Sequence, residues 1–263
     1  MKRYVAAMLV ALSLAGCASN EPYDETRSWT VEKLYAEARD ELNSGNYTRA
    51  VKLYETLEAR FPYGRYAQQS EMDLAYTHYK DNEPELAIAA ADRFIKLHPT
   101  HPNLDYVLYL KGLVYYNDDS GLLAKWAGQD MSERDPRATR EAFLAFRELT
   151  SRFPNSQYSA DAAEKMNKLI KALGGHEMHV ARYYMKRGAY LAAAGRAQNV
   201  VKEYANTGYL EEALALTVTA YDKLGVPQLR DDARRVLELN YPKSQYLANG
   251  WQTEEMPWWK FWK

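Results

Sequence analysis

Residues 31–62 read VEKLYAEARDELNSGNYTRAVKLYETLEARFP, and the same pattern returns 37 residues further on. Leu34, Ala38 and Leu42 space an apolar stripe at helical intervals, and Gly45 interrupts it. Tyr47, Ala50, Tyr54 and Leu57 resume the stripe, and Pro62 stops it. Counted from Gln68, the same offsets give Leu74, Ala75, Tyr79, Ala87, Phe94 and Pro99. From Gly174 they give Ala181, Tyr184, Gly188, Tyr190 and Ala193, and from Glu211, Leu214, Tyr221, Gly225, Leu237 and Pro242. Small residues let two helices cross closely, aromatics fill the space between them, and glycine or proline ends each helix. Self-similarity at this period marks a helical solenoid, an architecture that binds more often than it catalyses.

Each unit also closes alike. Phe61-Pro62-Tyr63-Gly64-Arg65-Tyr66 is echoed at Phe153 to Tyr158, Tyr204 to Tyr209 and Tyr241 to Tyr246, and more loosely at His98 to Asn103. Five closures predict five helix pairs in an all-α, right-handed solenoid. Turns are expected at 43–47, 80–84, 187–190 and 225–227, with Thr30 capping the first helix. No stretch alternates with period two, so no sheet is expected. Two departures interrupt the period. An insertion at 118–135, carrying Trp126, delays the helix of Ala142, Phe146 and Leu149; it is either a contact loop or a segment folded on the solenoid edge. Residues 161–173 add a helical stretch that either extends the first helix of the fourth unit or is kinked or broken from it at Gly174-Gly175, where propensity disfavours helix.

At the start, Lys2 and Arg3 precede an apolar run from Tyr4 to Leu14, too short to span a bilayer, which ends in Leu14-Ala15-Gly16-Cys17. These four residues resemble the lipobox of bacterial lipoprotein precursors. The resemblance implies cleavage before Cys17, a diacylglycerol on its sulfur and an acyl chain on its new amino group. Cys17 is the only cysteine, which excludes an internal disulfide. Ala18 and Ser19 follow, without an inner-membrane retention aspartate, so the analogy places the body in the periplasm beneath the outer membrane. Loss of Lys2 and Arg3 leaves 32 basic against 35 acidic residues, a net charge of −3 that argues against nucleic acid.

The chain thus divides into a leader at 1–16, Cys17 with a flexible leash at 17–29, and two repeats at 30–103. A third repeat with its insertion spans 104–158, the C-terminal repeats 159–246, and a Trp-rich tail 247–263. That tail ends Met256-Pro257-Trp258-Trp259-Lys260-Phe261-Trp262-Lys263. It suits a membrane interface, a groove on another protein, or a cap over the last helix.

No convergent catalytic set is legible, and the reading is non-enzymatic, without metal or other cofactor. His176 and His179 lie three apart but lack a third ligand. His98 and His101 read as partners of backbone groups at a helix end. What remains is surface. In helix-pair solenoids of this type, positions two, five, nine, twelve and thirteen of each first helix line a groove. These are Glu32, Tyr35, Arg39, Leu42 and Asn43, then Gln69, Met72, Tyr76, Tyr79 and Lys80. Tyrosine and methionine with basic edges suit an extended peptide bearing aromatic side chains and a free carboxylate. About half of the 22 tyrosines are expected in the core instead.

The 37-residue units resemble tetratricopeptide repeats. Taken with the lipobox, the chain resembles the lipoproteins of the outer-membrane β-barrel assembly machinery. The matching residues are Asp92 to Asn103, Asp105-Tyr106, Lys111-Gly112-Leu113, Arg134-Asp135-Pro136 and Ala142-Phe143. Pro154 to Tyr158, Val180-Ala181, Tyr183-Tyr184 and Arg187-Gly188-Ala189 complete them. The resemblance covers about Val31 to Tyr246. It implies that the first two repeats receive the C-terminal segment of an unfolded outer-membrane protein. It further implies that the last repeats dock on a BamA-like barrel subunit beside other assembly lipoproteins, with Arg187 and Arg196 meeting its carboxylates. The residues themselves leave another role open, an outer-membrane adaptor for peptidoglycan enzymes. They also leave a metal enzyme built on His176 and His179.

Overall fold

A computed structural model describes residues 24–116 and 136–252. Cys17, the insertion with Trp126, and residues 253–263 lie outside the described residues. Among the described residues the chain is all-helical, with no strand. Five helical pairs follow in chain order: α1 (Val31–Asn43) with α2 (Tyr47–Arg60), and α3 (Arg65–Lys80) with α4 (Pro84–Leu97). Then come α5 (Leu104–Tyr116) with α6 (Pro136–Arg152), and α7 (Ser159–Lys186) with α8 (Tyr190–Glu203). The last pair is α9 (Leu210–Leu224) with α10 (Pro227–Asn240), followed by the short α11 (Gln245–Asn249).

The repeat grammar works through a few backbone devices. Within four of the pairs the connecting turn needs one left-handed residue. Gly45, Gly188 and Gly225 supply it with φ of 80°, 72° and 70°, and Asn82 supplies it in the second pair at 60°. Proline opens α4, α6 and α10, where its missing N–H costs nothing. Thr30 caps α1 by accepting from the Lys33 amide. At each closure the aromatic or histidine amide returns to a carbonyl four residues back. Phe61 bonds Leu57, His98 Phe94, Phe153 Leu149, Tyr204 Val200 and Tyr241 Leu237. Every one of those acceptor residues is buried. The closure motif therefore locks a helix end onto the core while proline or a turn redirects the chain.

The core runs between the pairs. Leu34, Ala38, Ala50, Tyr54 and Leu57 fill the first pair, and Phe94, Leu108, Leu110, Phe146 and Leu149 the middle. Met178, Ala193, Ala197, Leu214, Leu216 and Leu237 fill the last two. Tyr76 packs against both of the first two groups, which makes the core continuous across that seam. Tyrosines are less buried than the sequence reading expects. Tyr54, Tyr116, Tyr204 and Tyr221 are enclosed, but most of the other described tyrosines are only partly buried, with the ring packed against a core cluster, as at Tyr35, Tyr76, Tyr106 and Tyr109.

Of the two alternatives at Gly174-Gly175, the structure takes the continuous helix. Helix α7 runs unbroken for 28 residues, so 161–173 extends the first helix of the fourth pair. Two glycines in a helix sacrifice about 2 kcal/mol of propensity, and tertiary packing overrides it. A Cβ on Gly174 would lie 2.8 Å from Thr207 Oγ1 and 3.2 Å from Tyr204 Cβ. The glycine lets the turn after α8 press onto α7. Gly174→Leu is therefore expected to lower stability by a net of about 1–2 kcal/mol, seen as an earlier urea midpoint. An unchanged midpoint would show that the two segments separate freely.

The described end of the segment before α1 is anchored. Residues 24–29 are held against α2, not loose. Arg60 binds Asp24 through its guanidinium and donates to the Thr26 carbonyl at 2.5 Å and its hydroxyl at 2.9 Å. Thr26 is buried.

Candidate peptide groove and docking surface

The first-helix face of the N-terminal pairs is organised around a residue that the repeat offsets do not single out. Asp73, on α3, accepts from the Tyr35 hydroxyl at 2.8 Å, from Gln69 Nε2 at 3.1 Å and from the Tyr54 hydroxyl at 3.5 Å. Burial pushes its carboxyl above the usual carboxylate range, and these hydrogen bonds only partly reverse that. Tyr35 is pushed up to about 12, by burial first and then by the Asp73 charge. Arg39 holds its guanidinium 6.0 Å from the Tyr35 ring, and Tyr66 closes on the same ring at 5.3 Å. Sequence carries one sign of this hub: an aspartate inside the apolar stripe Met72-Asp73-Leu74.

The structure sorts the remaining groove candidates. Arg39, Asn43 and Lys80 are exposed, Tyr79 is 36% exposed, and Tyr76 is half-buried with its ring 6.4 Å from that of Tyr79. Leu42 and Met72 are corrections. Both are buried, at 9% and 1%, and belong to the core of the first and middle clusters. They sit at the margin of the helix face, where the neighbouring helices enclose an apolar side chain. The aromatic surface also continues one pair further than the sequence reading carries it. Tyr109 on α5 stacks on Tyr158 at 4.8 Å and donates to Asp161 at 2.6 Å, while Tyr106 lies 5.9 Å from Tyr158. Lys165 binds the same Asp161 at 2.9 Å. Counting the first-helix offsets from Asp105 reaches both Tyr106 and Tyr109.

The two docking candidates differ. Arg187 is exposed, lies over the Tyr183 ring at 5.5 Å and touches its hydroxyl at 3.3 Å; it has no ion pair among the described residues. Arg196 is already engaged, with Nη1 at 3.2 Å from Glu177 Oε2, and Asn199 Nδ2 reaches the same oxygen at 3.4 Å. Its first task is to neutralise a buried carboxylate. Arg196→Ala is expected to cost about 1–2 kcal/mol, below the figure for a fully buried pair because the arginine is partly solvated. Arg187→Ala should leave the urea midpoint within about 0.5 kcal/mol of wild type. Equal losses in the two variants would contradict this division. Arg187→Glu, not Arg196→Glu, is the clean probe of docking.

The histidines have ordinary structural partners. His98 Nε2 pairs with Glu71 Oε2 at 2.9 Å, not with backbone, and His101 Nδ1 accepts the Asn103 amide at 3.1 Å. Among the described residues no group of three or more His, Cys, Asp and Glu is placed to hold a metal ion. No described helix is long and apolar enough to cross a membrane.

The helix-pair stack matches the model of a family, YfiO, described as an outer membrane lipoprotein, over residues 27–237. The chain belongs to the YfiO family. An outer membrane protein assembly factor BamD from Neisseria meningitidis serogroup A is 58% identical over 266 residues, covering all of both chains. The protein of the same name from Neisseria gonorrhoeae is also 58% identical over the full length. That from Vibrio cholerae is 34% identical, covering 91% of this chain and 99% of its own. Among solved structures, MamA superposes over 86% of this chain and 97% of its own, with a TM-score of 0.38 and 15% identity. The shared YfiO region spans all five helix pairs except the end of α10.

Proposed function

We propose that this chain is a non-enzymatic scaffold of the outer-membrane β-barrel assembly machinery. It is tethered to the periplasmic face of the outer membrane through acylated Cys17. Its N-terminal pairs receive unfolded barrel proteins, and its C-terminal pairs dock on a BamA-like barrel subunit beside other assembly lipoproteins. The observation that carries this reading is the 58% identity, over the whole chain, to proteins named outer membrane protein assembly factors.

The geometry supports a peptide site on the N-terminal pairs. Tyr35, Tyr76 and Tyr79 offer flat apolar area at low entropic cost. Asp73 fixes Tyr35 from below, so that ring is oriented before a ligand arrives. Arg39 and Lys80, both exposed, flank the rings and can meet a terminal carboxylate. A substrate segment ending in an aromatic residue would lay its ring on the tyrosines and its carboxylate toward Arg39. The test is fluorescence anisotropy with a labelled peptide ending in phenylalanine and a free carboxylate. Arg39→Glu and Tyr79→Ala should each weaken binding about tenfold. A scrambled or amidated peptide binding equally well would overturn the reading of this groove.

A further inference from the structure

A cleft of about 590 Å³ opens between α6, α7 and the end of α8, on the seam between the third and fourth pairs. That volume falls within the usual range of about 300–1,000 Å³ for a ligand site. Phe143, Leu144, Ile170 and Leu173 give it apolar walls, and the exposed Arg140 and Arg147 line it from α6. Its charges are unbalanced. Glu177 is buried and already neutralised by Arg196 at 3.2 Å, with Asn199 reaching the same oxygen at 3.4 Å. Arg140 meets only the Tyr204 hydroxyl, at 3.5 Å, and Arg147 lies 5.8 Å from the Phe143 ring centroid. Neither has an ion pair among the described residues, although the exposed Glu203 lines the same cleft. Other arginines on these three helices do pair: Arg152 with Glu148 at 2.6 Å, Arg182 with Glu212 at 2.5 Å and Arg196 with Glu177.

A guanidinium is weakly hydrated and matches a carboxylate through two parallel hydrogen bonds. Two of them without an anion, beside apolar walls, select a ligand that brings carboxylates and apolar surface together. Spacing narrows the choice. Arg140 and Arg147 are seven residues apart on α6, which is about 10.5 Å along the helix axis. Phe143 and Leu144 fall between them on the same side of the helix. A small organic acid with one carboxylate would satisfy one arginine and leave the other. In an extended peptide every second side chain points the same way, at about 3.3 Å per residue. Positions one and five then stand about 13 Å apart with position three between them. The swing of two long arginine stems takes up the difference.

We propose that this cleft binds an extended acidic segment of a partner protein, its central apolar side chain against Phe143, Leu144, Ile170 and Leu173. Carboxylates two positions to either side pair with Arg140 and Arg147. The site lies on other helices than the N-terminal groove, needs no free carboxyl terminus, and holds whatever that groove receives.

The test is fluorescence anisotropy of the acylated full-length chain in a nonionic detergent with a labelled peptide, Glu-Ser-Phe-Ser-Glu, capped at both ends. Combining Arg140→Gln with Arg147→Gln should weaken binding about tenfold, and each change alone about threefold. Replacing the central phenylalanine of the peptide by serine should weaken it about fivefold, and both glutamates by glutamine about tenfold. These peptide changes test the same pairing in the unaltered protein, so the proposal stands or falls even if the double variant folds poorly. An unlabelled peptide ending in phenylalanine with a free carboxylate should not displace the probe, which separates this site from the N-terminal groove. Equal binding by a folded double variant would overturn the proposal. So would equal binding of the serine-centred peptide, which would mean attraction by charge alone. So would displacement by equimolar phenylacetate, which would mean a site for a small organic acid.

Discussion

Phe146→Ala is expected to destabilise the protein by about 3–5 kcal/mol, more than any other single substitution named above. The ring is fully buried in the middle cluster, with Tyr109 and Tyr116 at centroid distances of 6.0 and 6.2 Å. It lies against Gly112 so closely that a Cβ there would sit 2.4 Å from the nearest ring atom. Gly112 has no side chain to extend into the vacated space, so the cavity persists on that side. Solenoid pairs are stabilised chiefly by their neighbours. Loss of this seam should therefore split the urea transition into two steps, with the helices before and after it separating first. A single transition displaced by less than about 1 kcal/mol would contradict this account of the core. Gly112→Ala tests the same contact from the other side. It should cost about 1–3 kcal/mol in wild type and less in a Phe146→Leu background, giving a measurable coupling.

Asp73→Ala is expected to cost about 2–4 kcal/mol and to disorganise the peptide groove. It leaves the Tyr35 hydroxyl, the Gln69 amide and the Tyr54 hydroxyl without their common acceptor; Tyr54 is fully buried, and the other two donors are partly so. Asp73→Asn keeps one acceptor oxygen and should lose about half as much. The pH dependence has a defined sign. The folded state raises the Asp73 pKa above its ordinary 3.8. It therefore binds the proton more tightly than the unfolded chain does. The contribution of this site is fully present below about the ordinary value and is lost as pH rises through the folded one. Since asparagine does not titrate, the stability gap between wild type and Asp73→Asn should narrow as pH rises from about 4. A gap that widens over this range would show that hydrogen bonding, not burial, dominates at Asp73. Aromatic-terminated peptide should bind Asp73→Ala more weakly even where the fold is restored by osmolyte, because Tyr35 is no longer oriented.

Much of this architecture is legible in the sequence because the repeat signals are local. Gly45, Gly188 and Gly225 announce left-handed turn positions, and each Phe/Tyr-Pro closure announces a helix end on the core. Features that depend on neighbours are less legible. Gly174-Gly175 leaves a break and a continuous helix both open, because propensity disfavours helix there; only the approach of Thr207 and Tyr204 reveals why glycine is needed inside a continuous one. Leu42 and Met72 sit at groove offsets but at the edge of the helix face, where an adjacent helix covers them. Arg196 looks like a free cation until Glu177 is seen beneath it. Asp73 escapes the repeat offsets because they identify faces, whereas its role comes from tyrosines contributed by two other helices.

The assembly role is tested most directly by isolating the acylated protein from gently solubilised envelopes and identifying its partners by mass spectrometry. The account predicts recovery, near one-to-one, of a large outer-membrane barrel protein with repeated periplasmic domains, and its loss from the Arg187→Glu isolate. Recovery of peptidoglycan enzymes without any such barrel would contradict it.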